Sequence, residues 1–142
     1  MTRVRVAAAL CALFMTMFVA GSAVAQDART SSVQKAARDW LAIADRGDAQ
    51  ASWNTMAPLF KDAISAESWA VSLREVRIPL GEVTGRTVLS TQFSTKMPKA
   101  PDGDYALVIF RTAFAKKVDV HETVTLSHEA DGVWRVVGYM VR

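Results

Sequence analysis

The chain has few residues that could carry out chemistry, and its two histidines are the first to consider. His121 and His128 lie in one predicted strand, and their odd separation places them on opposite faces of it. At about 3.3 Å per residue they are also roughly 23 Å apart, which is too far to bind one metal ion. Both alternate with polar neighbours and are expected to face solvent. The sequence therefore predicts neither a metal site nor a metal cofactor.

Motifs for nucleophilic catalysis and for phosphate binding are also missing from the sequence. It contains no Gly-x-Ser-x-Gly element and no glycine-rich phosphate loop, and its seven glycines stand singly. The only cysteine, Cys11, lies in an apolar N-terminal run. Asp102 and Asp104 could chelate a cation weakly, but a hairpin turn favours the same residue types. No cofactor is expected.

Glu122 is the one residue whose chemistry does not suit its predicted position. It is in register with the apolar side of its strand, which is formed by Val118, Val120, Val124 and Leu126. A carboxylate that faces a core costs several kcal/mol unless it is paired, protonated or open to a cavity. Glu122 is therefore the first candidate for a site.

Two arginines are the expected partners of Glu122: Arg77 at the end of the third predicted helix, and Arg86 at the start of the sheet. Two interpretations follow. In the first, a structural Glu–Arg ion pair joins the sheet to the helices. In the second, Glu122 lines a pocket, where it contacts a ligand or acts as a general base.

Aromatic residues supply the remaining candidates. The four tryptophans are Trp40, Trp53, Trp69 and Trp134, and three of them lie on helical stripes. Core packing or contacts between helices and sheet are the usual role of such residues, and an aromatic-lined groove is the alternative. Trp53 and Tyr105 join Glu122 and the two arginines as candidate pocket residues.

Three helices and four strands must position these residues. The helices, read from a period of 3.6, run from Ser31 to Gly47, from Asp48 to Pro58, and from near Ser65 to Pro79. Residues 26–30 are polar and expected to be frayed. The strands, read from a period of two, cover residues 87–95, 105–115, 118–129 and 133–142, and Asp131-Gly132 forms the last turn. This order predicts an α+β fold with helices on one face of an antiparallel sheet.

Residues 1–25 have the three parts of a secretory signal peptide. Arg3 and Arg5 precede an uncharged apolar run, and Ala23-Val24-Ala25 offers the small-x-small pattern of a cleavage site. The run of about 14 apolar residues is shorter than the roughly 20 that span a bilayer. We expect cleavage between Ala25 and Gln26, a single mature domain of residues 26–142, and no stable membrane anchor. The protein would then be periplasmic in a Gram-negative cell, or secreted.

The charge balance excludes one class of partner. The chain has 17 basic and 14 acidic residues, a net charge of +3. Removing residues 1–25 leaves 15 basic and 14 acidic residues, a net charge of +1, because Arg3 and Arg5 are lost. The surplus of basic residues therefore belongs mostly to the signal peptide, and no nucleic-acid partner is expected.

Motifs spread over most of the mature chain resemble the bacterial domain-of-unknown-function family numbered 4019. They are Trp40-Leu41, Asp45-x-Gly47, Ser52-Trp53, Leu59-Phe60-Lys61, Trp69, Arg77-x-Pro79-Leu80-Gly81, Arg86, Pro101-Asp102-Gly103-x-Tyr105, Phe110-x-Thr112-x-Phe114, Glu122-Thr123-Val124-Thr125 and Asp131-Gly132-x-Trp134-Arg135-Val136-x-Gly138-Tyr139. Two residues depart from the pattern: such proteins tend to carry tyrosine in place of Ala49 and glycine in place of Lys99. The resemblance implies a curved sheet around helices, similar to the nuclear-transport-factor-two and cystatin-like cone, and no assigned activity.

These observations favour a non-catalytic exported domain that binds a small ligand or an exported protein partner. The alternative is a small acid–base enzyme of the isomerase or dehydratase type. It would use Glu122 in a cone-shaped pocket, with Arg77 or Arg86 orienting an anionic substrate. A homodimer formed through an apolar sheet face is a further expectation.

Overall fold

The computed structural model describes residues 20–142, so residues 1–19 of the predicted signal peptide lie outside the described residues. The helices are α1 Ala20–Asp45, α2 Ala49–Asn54, α3 Pro58–Ala63 and α4 Ala66–Arg77. The strands are β1 Val83–Ser94, β2 Tyr105–Phe114, β3 Val120–His128 and β4 Trp134–Val141. The predicted α+β class is confirmed. Within residues 20–142, no helix is both long enough and apolar enough to cross a membrane.

Helix α1 begins earlier than the sequence predicts. It is continuous from Ala20, so the expected start at Ser31 and the expected fraying of residues 26–30 are both wrong. The reason is that no proline or glycine interrupts the chain between Ser22 and Ser31. The helix therefore continues through Ser31, although serine is a residue type that often caps a helix start. Gly47 ends the helix as predicted, with a positive φ of 72° that glycine adopts without strain.

Two of the three remaining helices, α2 and α4, begin at side-chain caps. Asp48 accepts a hydrogen bond from the backbone of Ala51 at the start of α2, and Ser65 caps α4. Pro58 does not merely interrupt the second helix, as predicted, but occupies the first turn of the separate helix α3. Proline suits that position because its missing N–H would have no partner there.

The four strands form one antiparallel sheet in the order β1-β2-β3-β4. Its inner face packs against the helices around one main core. The buried residues of this core are Val33, Ala37, Trp40, Leu41, Ala44, Met56, Trp69, Leu73, Ala106, Val108, Phe110, Val124, Leu126, Trp134 and Val136. Leu89 and Met140 lie on strands yet are 50% and 45% exposed. The homodimer through the sheet face stays a prediction.

Irregularities in both edge strands change which side chains face the core. In β4, Val136 and Gly138 lie opposite consecutive residues of β3, so Val137 is an extra residue. Because side chains alternate along a strand, one extra residue reverses the alternation that follows it. Tyr139 therefore lies on the inner face, as Val136 does. A similar shift occurs at Leu89 in β1.

Two apolar residues, one predicted to lie on the apolar side of β3 and one in α4, are exposed. Val118 is 72% exposed, because β3 begins only at Val120, after Asp119 has taken a positive φ of 60°. Val76 is 40% exposed. The inward stripe of α4 is instead Trp69, Leu73 and Arg77, spaced four residues apart. This stripe delivers an arginine to the sheet.

Lys99 has a backbone conformation that suits glycine better than lysine. Its φ is 61°, in the left-handed region where glycine is favoured. The loop between β1 and β2 therefore holds a lysine in a glycine-like conformation. A lysine in this conformation costs roughly 1 kcal/mol relative to glycine.

Candidate functional site

The carboxylate of Glu122 lies on the inner sheet face, near the start of β3, and is 0% exposed. Its Oε1 accepts hydrogen bonds from the Tyr139 hydroxyl at 2.6 Å and from Arg77 Nη1 at 3.2 Å. Its Oε2 accepts hydrogen bonds from Thr112 Oγ1 at 2.5 Å and from Arg86 Nε at 2.8 Å. Both oxygens therefore have two protein donors each.

Asp45 completes a closed ring of charges with Glu122 and the two arginines. Arg86 donates to Asp45 through Nη1 at 2.7 Å and through Nη2 at 3.0 Å, and Arg77 Nη2 also pairs with Asp45. Each arginine thus bridges the two acids. The side chains of Arg77, Arg86 and Asp45 are 11%, 14% and 24% exposed. With two positive and two negative groups the ring has no net charge. We call Asp45, Arg77, Arg86 and Glu122, with Thr112 and Tyr139, the ionic cluster.

Each member of the ionic cluster is placed by a different element. Asp45 is the last residue of α1 and Arg77 is the last residue of α4. Arg86 of β1 lies opposite Thr112 of β2. The extra residue in β4 places the Tyr139 side chain on the inner sheet face, where it reaches Glu122 of β3. The cluster therefore joins two helix ends to all four strands.

The protonation states of the cluster follow from burial and from its own hydrogen bonds. Burial, followed by the nearby charge of Glu122, raises the pKa of Tyr139, so the tyrosine stays a neutral donor. Burial alone would lower the pKa of Arg77 and Arg86, but their acceptors outweigh it and raise both. Burial alone would raise the pKa of Asp45, but hydrogen bonds from Arg86 and Arg77 outweigh it and lower that pKa.

This geometry favours the structural interpretation of Glu122. A general base must offer a lone pair within hydrogen-bond reach of a substrate proton, and both oxygens of Glu122 already face protein donors. Among the described residues, no buried side-chain nitrogen or oxygen lacks a hydrogen-bond partner. The role of Glu122 in ligand binding or catalysis stays a prediction.

The other two pocket candidates, Tyr105 and Trp53, do not join the ionic cluster. Tyr105 is at the far end of β2 from Thr112, where its hydroxyl donates to the carbonyl of Pro101 at 2.7 Å. The indole N–H of Trp53 donates to the carbonyl of Ile64 at 3.0 Å and so ties α2 to the end of α3. Each side chain therefore has its own local structural contact.

The predicted cleavage bond between Ala25 and Gln26 lies within α1. Residues 23–28 are exposed. The first buried side chain of the main core is Val33. The bond is therefore peripheral to the packed part of the protein.

The histidines bear out the expectation that both face solvent, because both are exposed. His128 stacks on Trp134 with ring centroids 4.7 Å apart, and its Nδ1 lies 3.4 Å from Asp104. Asp104 also pairs with Arg29 of α1. Within residues 20–142, no three histidine, cysteine or acidic residues are grouped so that they could hold a metal ion.

A groove of about 510 Å³ opens on another part of the surface, between α1, the end of α2 and the start of β4. It is lined by Ala36, Asp39, Trp40, Ile43, Asn54, Thr55, Val133, Trp134, Arg135 and Val136. We call it the α1–β4 groove. Trp40, Trp134 and Val136 are almost completely buried and form its floor, while Asp39 and Asn54 are exposed at its rim.

Three members of the ionic cluster and most residues of the groove are not among the site residues predicted from the sequence. Asp45 carried a signal, because a carboxylate in the last turn of a helix opposes the helix dipole and needs a cation nearby. Thr112 also carried one, because it interrupts the apolar inner side of β2 between Phe110 and Phe114. Tyr139 carried none, because its inward direction depends on the extra residue Val137.

Replacing Glu122 with alanine should strongly destabilise the protein, because two largely buried arginines would lose an acceptor. Removing one partner of a buried ion pair typically costs about 3–5 kcal/mol. The measurement is the free energy of unfolding from urea titration followed by tryptophan fluorescence.

Two further variants make this result interpretable. Glu122→Gln keeps the shape and one acceptor oxygen, so its loss should be smaller than that of Glu122→Ala and measurable if the alanine variant does not fold. Glu75→Gln, at an exposed position of α4, should change the stability by less than about 0.5 kcal/mol. A loss below about 1 kcal/mol in Glu122→Ala would show that the cluster does not hold the carboxylate.

The lowered pKa of Asp45 predicts a specific pH dependence of stability. Its folded-state pKa lies below the ordinary value of 3.8, so ionised Asp45 stabilises the fold above that pH. This stabilisation is lost as the pH falls through the folded-state pKa. The difference in free energy of unfolding between the wild type and Asp45→Asn should be largest above about pH 5 and shrink toward about pH 3.

Asp62→Asn is the matched control for this titration. Asp62 is an exposed acid in α3 with no ion pair among the described residues. Its substitution removes no ion pair among the described residues, so the free energy of unfolding should change by less than about 0.5 kcal/mol. A difference for Asp45→Asn that does not change with pH would contradict the role given to Asp45.

Comparisons with known proteins agree with this fold and assign it no activity. A solved structure from Catenulispora acidiphila is 18% identical, with a TM-score of 0.51, over 84% of this chain and 94% of that chain. At this identity the likeness shows the fold alone, and similarity to the nuclear-transport-factor-two and cystatin-like cone stays a prediction. No curated protein matches the chain. The family model described as Protein of unknown function (DUF4019) matches residues 36–139, which confirms the resemblance, and the protein belongs to that family.

Proposed function

We propose that this protein is an exported, non-catalytic binding domain whose ligand occupies the α1–β4 groove. The observation that carries the proposal is the composition of the groove. An apolar floor of Trp40, Trp134 and Val136 lies beneath polar side chains at the rim. Sites for small ligands and peptides commonly combine an apolar surface with a few polar groups that fix orientation.

The ionic cluster argues against the enzyme alternative. Its charges are mutually paired, and Glu122 has four protein donors on its two oxygens. An anionic substrate held by Arg77 or Arg86 would have to displace Glu122 or Asp45 from that arginine. Breaking a buried pair in this way costs several kcal/mol before any substrate contact is made. The groove requires no such disruption.

Export is supported by the position of the predicted cleavage bond. Val24 is 68% exposed, and the side chains from Ala23 to Ala28 make no contribution to the main core. Removing residues 1–25 would therefore cost no buried contact among the described residues. The mature domain would retain all four strands and the inward stripe of α1.

N-terminal sequencing tests export directly. Protein recovered from the periplasm or medium of cells that express the full chain should begin Gln26-Asp27-Ala28-Arg29. Ala25→Arg should block cleavage and leave the precursor cell-associated, because signal peptidase accepts only a small residue at that position. Ala28→Arg, three residues beyond the bond, is the control and should be processed. Recovery of uncleaved wild-type protein in the cytoplasm would refute this part of the proposal.

Binding in the groove is tested with a library of small aliphatic and aromatic fragments. Amide shifts in the NMR spectrum of the labelled protein should concentrate at Ile43, Asn54, Thr55 and Val133. Ile43→Asp should weaken the best fragment about tenfold, because an apolar ligand would then desolvate a carboxylate.

Ile78→Asp provides the control for this substitution. Ile78 is an apolar residue of similar type, 66% exposed and outside the groove, so its substitution should leave fragment binding unchanged. Fragment shifts concentrated around Glu122 would instead support the enzyme alternative. Absence of any shift in the groove would refute the proposed binding site.

A further inference from the structure

The backbone N–H and C=O of Trp134 point away from β3, toward the free edge of the sheet that lines the α1–β4 groove. The carbonyl of Val133 accepts a hydrogen bond from Glu129 at 2.9 Å, so Val133 faces β3. Because backbone groups alternate in direction along a strand, the N–H and C=O of Trp134 face the open edge of β4. His128 lies opposite Trp134 in β3, and its backbone N–H donates to the carbonyl of Asp104, on the side of β2. The backbones of His128 and Trp134 are therefore not hydrogen-bonded to each other.

Neither backbone group of Trp134 has a hydrogen-bond partner among the described residues. Edge-strand groups of this kind are open to pairing with another extended chain. Val133 and the first three residues of β4, 134–136, all line the groove, as expected where the edge of a strand rather than one face forms the wall. The wall of the groove therefore carries one donor and one acceptor that no described residue pairs.

The same edge already accepts an extended residue from this chain. The N–H of Ala57 donates to the carbonyl of Val136 at 2.9 Å. Ala57 is extended, with φ of −63° and ψ of 151°. The pairing stops there, because the preceding residues Asn54 and Thr55 belong to the end of α2 and to the turn that follows it. Trp134 is the next outward-facing residue along β4.

The opposite wall of the groove is one face of α1. Ala36, Asp39, Trp40 and Ile43 follow the spacing i, i+3, i+4 and i+7, which places them on one side of the helix. Ile43 and Ala36 are half-buried and offer an apolar contact. An extended segment paired with β4 would present alternate side chains to this wall.

We propose that the α1–β4 groove binds an extended peptide segment of another protein, which adds to the edge of β4 through the backbone of Trp134. This rests on the proposed function of the groove and specifies its ligand. Strand addition of this kind obtains affinity from main-chain hydrogen bonds and specificity from alternate side chains.

Charge favours an uncharged segment with an aliphatic side chain. The rim acid Asp39 is paired with Lys35 at 2.6 Å, and Arg135 is paired with Asp131 at 2.8 Å. The rim thus presents no unpaired charge among its described residues. The apolar wall at Ile43 and Ala36 matches an aliphatic residue of the segment.

Hydrogen exchange of the free protein tests the exposed edge first. The amide of Trp134 should exchange at least about tenfold faster than that of Arg135, which faces β3. Protection of Trp134 in the free protein would mean that the edge is already covered and would overturn the proposal. If that protection comes with a dimeric mass in light scattering, the occupant is a second copy of the chain.

Peptide selection tests the ligand. A phage-displayed library of random linear nonapeptides is selected on the immobilised protein, and the best synthetic peptide is titrated by calorimetry. Methylating the peptide nitrogen that pairs with Trp134 should weaken binding about tenfold, whereas methylation one residue away should change it less than about twofold. Binding should also slow exchange of the Trp134 amide.

Variants separate this inference from the proposed function. Ile43→Asp should weaken the selected peptide about tenfold, and Ile78→Asp should not change its affinity. Peptides that bind but tolerate methylation at every nitrogen would overturn strand addition while leaving the groove as a binding site. If no peptide is selected but fragments still bind the groove, the peptide inference fails alone. If neither binds there, the proposed function fails as well.

Discussion

A carboxylate removed from water on the inner face of a sheet needs cationic partners, and the buried position of Glu122 imposes this requirement on the rest of the fold. Two arginines meet it, one from the end of α4 and one from β1, and Asp45 at the end of α1 neutralises the charge that they leave over. Because hydrogen bonds to guanidinium groups are directional, the cluster constrains where both helices end relative to the sheet. Apolar packing alone is much less selective about such details.

The closed ionic cluster and the open groove are neighbours through Trp40. The ring of Trp40 lies 5.3 Å from that of Tyr139 in the cluster, and Trp40 also forms part of the groove floor. Its indole N–H donates to the carbonyl of Ser52, whose hydroxyl accepts a hydrogen bond from Trp69. The floor of the groove is therefore fixed by satisfied polar contacts. A rigid floor of this kind lowers the entropic cost of binding, since little has to be ordered when a ligand arrives.

Much of this architecture could be predicted from the sequence, because periodicity reports which face of an element is apolar. The α+β class, the four strands and the misplaced carboxylate at Glu122 all follow from periods of 3.6 and two. Arg77 and Arg86 could be predicted as its partners, because a buried carboxylate needs a positive charge nearby. Tyr139 could not be predicted, because one extra residue in β4 reverses the alternation. The early start of α1 could not be predicted either, since a favourable cap at Ser31 does not exclude helix on its N-terminal side.

The groove could not be predicted for a different reason. It is formed between elements that are distant in the sequence, and its walls use side chains that periodicity assigns to the boundary between core and surface. The open edge at Trp134 depends on which backbone groups β3 has already used. Which backbone groups stay unpaired depends on strand pairing and not on side-chain type, so it cannot be predicted from the identities of residues 133–136.

The extra residue Val137 also sets how β4 can change in length. Because Val137 has no partner in β3, deleting it would leave Gly138 opposite Thr125 and Tyr139 opposite Val124, so the tyrosine would stay on the inner face. Inserting a residue after Val137 would instead move Tyr139 one pair along β3 and turn its side chain to the outer face. Relatives that keep a tyrosine and a buried glutamate in these places should therefore have either the same spacing from Trp134 to Tyr139 or one residue fewer, and not one residue more.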